Sequence, residues 1–149
     1  MALTSEATTI WAGTLFEGSG DVALDSSRLA SFPVNWKARA EGVAGMTNPE
    51  ELLAAAHSSC FAMALSGALA KAGTPPDHVH VSATVTFDKV GDAWTVTRSE
   101  LDVVGVVPGL DEAGFDAAAQ AAKDGCPISR ALAGNVELSV SSTLEDEHD

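Results

Sequence analysis

The sequence predicts an α+β domain, and three patterns predict it. Apolar and polar residues alternate with the period of a half-buried strand at Val81, Ala83, Val85 and Phe87, and again at Val136, Leu138 and Val140. An uncharged apolar stretch at 52–70 lies between a helix-start and a helix-stop signal. A second, amphipathic helical pattern follows the strands at 111–124. Strands, a long helix, more strands, helices and a last strand in that order describe an α+β chain.

The elements follow in turn. Residues 8–16 are β-prone, Glu17-Gly18-Ser19-Gly20-Asp21 reads as a turn, and 22–25 continues the sheet. Pro33 interrupts, 34–41 resumes an extended pattern, and 42–47 is a loop. Asn48 suits a helix N-cap, Pro49 the first helical position, and Glu51 the carboxylate of a capping box. Gly73 and the following Thr74-Pro75-Pro76 stop that helix, which is expected over 49–72. A hairpin turns at Gly91-Asp92, with its return strand at 94–107 ending before Pro108-Gly109. Phe115, Ala118, Ala119 and Ala122 form the stripe of the second helix, which Gly125 ends. Cys126-Pro127 opens a short segment to Leu132, and a last strand covers 135–143. Neither repeat nor linker divides the chain, so residues 1–149 read as one domain with flexible ends at 1–7 and 145–149.

Composition narrows the function. The chain has 149 residues and carries 21 acidic against 8 basic side chains, a formal charge of −13. That charge repels phosphate backbones and anionic lipid, so neither nucleic acid nor membrane is an expected partner. No basic region followed by an apolar run marks the first ten residues as a signal peptide, and the cytoplasm is the expected location. The stretch 52–70 is built on Ala, Ser and Gly, with acidic residues and Lys71 at its ends, and reads as a buried central helix. A helix apolar on all sides needs more cover than one small sheet supplies, which predicts a second subunit.

Two cysteines are too few for a disulfide-stapled scaffold, and in the cytosol a lone pair of thiols is more often reactive. Cys60, among Ala, Phe and Met, reads locally as an inert small hydrophobe whose burial raises its pKa. His57, one turn earlier on the same face, pairs with it or is a packed core histidine. Cys126 has the better local position, at the N-cap of a helical turn where unpaired N–H groups favour a thiolate. Zinc fits poorly. His57, Cys60 and Cys126 are three ligands where a structural site wants four, and His78, His80 and His148 do not group with a cysteine.

The combination of motifs resembles the OsmC family. Thr47-Asn48-Pro49-Glu50-Glu51-Leu52 followed by His57-Ser58-Ser59-Cys60-Phe61-Ala62-Met63 is similar to that family's active-site helix. Lys123-Asp124-Gly125-Cys126-Pro127-Ile128-Ser129 is similar to its second cysteine motif. The resemblance covers about residues 10–144. It implies antiparallel sheets around a long buried helix in an intertwined homodimer. It also implies a thiol peroxidase acting on organic or lipid hydroperoxides, with no cofactor and with recycling by an external dithiol of lipoyl type. Carried over by position, Cys60 matches the peroxidatic cysteine, Cys126 the resolving one, Arg39 the arginine that holds the thiolate, and Glu50 the carboxylate that orients it. Arg39-Ala40-Glu41-Gly42 and His57 resemble the OsmC branch rather than the related Ohr branch, whose arginine comes earlier; Arg28 is the alternative. Two rival readings stand beside it: a non-catalytic redox sensor or binding protein using the same cysteine pair, and a dimeric structural or metal-binding protein with inert cysteines.

The chemistry is consistent with those roles. A free thiol is only about 3% thiolate at pH 7, and a nearby arginine lowers an acid's pKa by roughly 1–3. Arginine stays charged and presents a planar fork, so one guanidinium can serve both a sulfur and a carboxylate.

Overall fold

A computed structural model describes residues 1–147. The end of the tail expected to be flexible, and His148 with it, lie outside the described residues. The chain forms two compact units, one ending at Leu52 and the other beginning at Leu53.

The first unit is a three-stranded antiparallel sheet with a short helix. β1 (Ala7–Ala12), β2 (Ser19–Leu24) and β3 (Ser31–Val34) lie in that order. The chain reverses earlier than the sequence reading has it: Gly18 N donates to Thr14 O at 2.8 Å, and Ser19 already pairs with Ala12. Pro33 does not break the sheet. It sits opposite Asp21 in the edge strand β3, where a missing N–H is tolerated.

A larger correction concerns 34–41. Residues Trp36–Ala40 form a helix, α1, rather than an extended segment. Asn35 is its N-cap, with the side-chain oxygen accepting from Ala38 N at 2.8 Å. Lys, Ala and Arg are good helix formers, and once Asn35 supplies the cap they override the β-prone flank.

Helix α2 (Pro49–Lys71) starts and ends within a residue of expectation. Asn48 caps it through Oδ1 to Glu51 N at 2.8 Å. The capping box does not close in the expected way, because the Glu51 carboxylate accepts the Thr47 hydroxyl at 2.6 Å instead. At the other end Gly73 takes φ +90°, and Thr74 N reaches back to Leu69 O at 2.9 Å, a left-handed stop that suits glycine.

In the second unit, β4 (His78–Val90) and β5 (Ala93–Val106) form the predicted hairpin. α3 (Glu112–Gly125) and α4 (Pro127–Leu132) follow, and β6 (Glu137–Leu144) completes a sheet ordered β4-β5-β6. β6 runs parallel to β5, whereas antiparallel sheets were expected. The α3–α4 crossover returns the chain to the end from which β5 started, so parallel pairing results. Phe61, Leu65 and Leu69 of α2 pack with Leu101 and Val103 of β5 and with Phe115, Ala119 and Ala122 of α3. Each large side chain buried there contributes roughly 1.5–3 kcal/mol.

Helix α2 is not covered on all sides within one chain. His57, Phe61, Leu65 and Leu69 form its buried stripe, while Ala55, Ser59, Met63 and Gly67 are exposed, Met63 to 74%. Only 22% of its most apolar window is buried. By length and composition alone this helix could also cross a membrane.

Candidate active site

In the first unit the sequence-predicted Arg39 and Glu50 meet. Arg39 projects from α1, and Glu50 lies in the first turn of α2. Arg39 Nε donates to both Glu50 oxygens at 3.2 Å, and Nη2 donates to Oε1 at 2.8 Å. The Glu50 side chain is only 8% exposed and the Arg39 side chain 33%, so the carboxylate is partly desolvated and the fork has a fixed orientation.

One residue that sequence reasoning credited only with capping also links the two helices. Asn48 Nδ2 donates to Ala38 O at 3.2 Å while its Oδ1 caps α2. Asparagine carries both a donor and an acceptor, so it fastens the end of α1 beside the start of α2. Arg28 lies exposed in the β2–β3 connection with φ +56°. A cavity of about 530 Å³ in this unit is walled by Trp11, Leu15, Val22, Trp36 and Leu52, and Arg39 also borders it.

In the second unit the two cysteines come together. Both are free thiols, and Cys126 Sγ lies 3.0 Å from Cys60 Sγ. Cys126 sits at the α3–α4 junction, in the N-cap position of α4 but with no side-chain cap hydrogen bond, followed by Pro127 in the first turn, and is fully buried. Cys60 is half-buried on α2.

The thiols titrate as a pair. Burial, and then its hydrogen bond to Cys126, push the Cys60 thiol up. For Cys126, burial acts upward, but hydrogen bonding from Cys60 and from Ser129, with the N–H groups of Ser129 and Ile128, outweighs it and brings the thiol down. Within this unit, negative charge therefore rests more readily on Cys126.

His57 does not pair with Cys60; it is the packed histidine. Its Nδ1 is 2.7 Å from Ser99 Oγ and its Nε2 is 2.8 Å from Ser129 Oγ. All three side chains are buried, and burial holds the imidazole below its usual range. Ser99 and Ser129 were missed from sequence. Ser129 carries a faint signal, since it falls one helical turn after Cys126. Among the described residues no cluster of His, Cys, Asp and Glu could hold a metal ion.

Comparison with known proteins places this geometry in context. The family of OsmC-like proteins matches residues 42–141. The chain is 41% identical over 128 residues to peroxiredoxin OsmC of Escherichia coli K12, covering 86% of this chain and 89% of that protein. It is 30% identical over 95 residues to an organic hydroperoxide resistance protein of Xanthomonas axonopodis pv. citri, covering 63% and 65% of the two. The structure is similar to that of the organic hydroperoxide resistance protein of Elizabethkingia anophelis, with a TM-score of 0.73 and 26% identity over 96% of this chain and 99% of that one.

Proposed function

The chain belongs to the OsmC-like protein family, and from that premise we propose that it is a thiol-dependent peroxidase reducing organic hydroperoxides to alcohols. The observation that carries the reading is the pair of free thiols 3.0 Å apart. An oxidised Cys60 would meet Cys126 with little movement of the chain.

In the proposed cycle the Cys60 thiolate attacks the distal oxygen of ROOH. The O–O bond breaks, the alkoxide takes a proton and leaves as ROH, and Cys60 becomes a sulfenic acid. Cys126 then attacks that sulfur, water leaves, and a Cys60–Cys126 disulfide forms. An external dithiol, of lipoyl type, returns both thiols. Arg39 holds the Cys60 thiolate and donates to the peroxide oxygen as it gains charge, and Glu50 fixes the guanidinium for both tasks. The apolar cavity beside Arg39 suits an alkyl or lipid hydroperoxide better than H₂O₂. The enzyme works without a metal or bound cofactor, as a homodimer in the cytoplasm, where thiols stay reduced.

Peroxide consumption by three proteins tests this. With cumene hydroperoxide and excess dihydrolipoamide, the wild type cycles. Cys60→Ser loses even the first turnover, and Cys126→Ser completes one turnover without recycling through a disulfide. A wild type that reacts once and stops in excess dithiol would instead be a sensor.

A further inference from the structure

On the reading that Arg39 serves the Cys60 thiolate, we propose that Asn48 is a positioning residue for Arg39: its side chain caps the end of α1 as well as the start of α2, and this double cap sets the pose of the guanidinium on Glu50.

Helix α1 is too short to hold itself. It has five residues, and an isolated helix of fewer than about 12–15 residues is marginal in water. Its last carbonyls also need partners. Glu41 N donates to Lys37 O at 2.8 Å and Gly42 N to Ala38 O at 3.2 Å, after which the chain leaves through Gly42 at φ +78°. The Asn48 amide supplies a tie from outside that turn, with Nδ2 donating to Ala38 O at 3.2 Å. Ala38 is 1% exposed, so water has little access to compete for this carbonyl.

The tie has a firm base. Thr47 N donates to Pro33 O at 3.1 Å, and residue 47 bridges Val34 of β3. Asn48 is therefore held to the sheet through its neighbour and to α2 through Oδ1, which accepts from Glu51 N. The Thr47 hydroxyl occupies the Glu51 carboxylate, and of the two adjacent acids it is Glu50 that meets Arg39.

The place where the tie lands matters. Ala38 adjoins Arg39 in sequence, and Asn48 lies two residues before Glu50. One hydrogen bond thus sets the spacing of the backbones that carry cation and anion. Arginine has several soft torsions and can meet a carboxylate end-on or side-on. Here it does so side-on, through Nε and Nη2, which puts Nη1 on the edge away from Glu50. Were capping of α2 the whole role of residue 48, Ser or Asp would serve as well. Only a side chain with both an acceptor and a donor makes the two contacts at once.

Asn48→Ser is the informative variant. Serine keeps an acceptor for Glu51 N and carries no charge, but it is too short to reach Ala38 O. Stopped-flow mixing with cumene hydroperoxide should show Cys60 oxidation at pH 7 slowed about 3- to 10-fold, with the pH profile displaced upward. In an Arg39→Lys background the same change should slow it by less than about twofold more, because Asn48 acts through the guanidinium. Heteronuclear NMR of the Arg39 Nε–H, which needs no peroxide, should show exchange with water at least about ten times faster than in the wild type. Asn48→Asp keeps the cap and replaces the donor with an acceptor. It should show the same faster exchange, and it carries the test if circular dichroism shows Asn48→Ser unfolded. Wild-type exchange in a folded Asn48→Ser would overturn the proposal, and so would a rate loss that persists in full beside Arg39→Lys. Faster exchange with an unchanged oxidation rate would instead detach Arg39 from the thiolate, the reading on which the proposal rests, and leave the hold of Asn48 on Arg39 standing.

Discussion

At the scale of single residues, the question is which sulfur carries the charge. Local physics points to Cys126, which is brought down by hydrogen bonding while Cys60 is pushed up by burial. A nucleophilic Cys60 therefore needs a further favourable interaction, and Arg39 is proposed to supply it. Removing Arg39 outright would strand a nearly buried carboxylate on Glu50, which costs about 3–5 kcal/mol, so Arg39→Lys is the better probe. Lysine keeps the charge for Glu50 but loses the fork that reaches two partners. We expect the rate of Cys60 oxidation at pH 7 to fall about 10- to 100-fold. The sign of the pH effect is fixed: with less stabilisation the Cys60 pKa rises, so the variant's rate should climb with pH over a range displaced to higher pH than the wild type's. Superimposable pH–rate profiles would remove Arg39 from the proposed role. The cysteines, Arg39 and Glu50 were named as candidates through the family resemblance, which the two cysteine motifs carry; the residues around Arg39 and Glu50 alone read as a surface strand residue and a helix-start charge. Ser99 and Ser129 were not named, since a buried serine differs from a surface one only by its neighbours in space.

Elements were legible in proportion to the length of their patterns. The hairpin and α2 carry many turns of alternation or strong caps, and their ends fall within a few residues of expectation. α1 is five residues long, too short to show a helical period, and its start rests on the single cap residue Asn35, which the extended reading of 34–41 passed over. The parallel pairing of β6 was not visible in its alternation, because the same pattern serves either direction; it follows from the helical crossover. That crossover also places Cys126, so the seating of α3 on the sheet matters to the site. α3 seats through Phe115, which is buried over Gly105 of β5. A Cβ at 105 would lie 2.6 Å from the Phe115 ring. Gly105→Ala should destabilise the chain by about 1–3 kcal/mol through overpacking. Adding Phe115→Leu should recover part of that loss, so that the two changes are non-additive in urea unfolding. Simple additivity would mean that the ring and the glycine are not coupled.

For the whole molecule the open surface of α2 is the decisive feature. Its buried stripe satisfies one face, while Ala55, Ser59, Met63 and Gly67 leave the opposite face small, nearly apolar and exposed. A membrane is a poor cover for it. The face is rich in Ala, Ser and Gly, which contribute little to insertion, and a chain of net charge −13 is repelled by anionic lipid. A second copy of the chain is the proposed cover, with two such helices approaching closely because their side chains are small. Sedimentation velocity of the wild type should then give twice the chain mass at micromolar concentration. Met63→Glu would place an unpaired carboxylate in that contact, at a desolvation cost of several kcal/mol, and each 1.4 kcal/mol weakens association tenfold. The variant should therefore sediment as a monomer at the same concentration while keeping its far-ultraviolet circular dichroism. Because residue 63 is exposed in the single chain, the substitution should leave the core of Phe61, Leu65 and Leu69 undisturbed. If Met63→Glu remains as dimeric as the wild type, the subunits do not meet through this face of α2, and the exposed apolar surface must serve another contact.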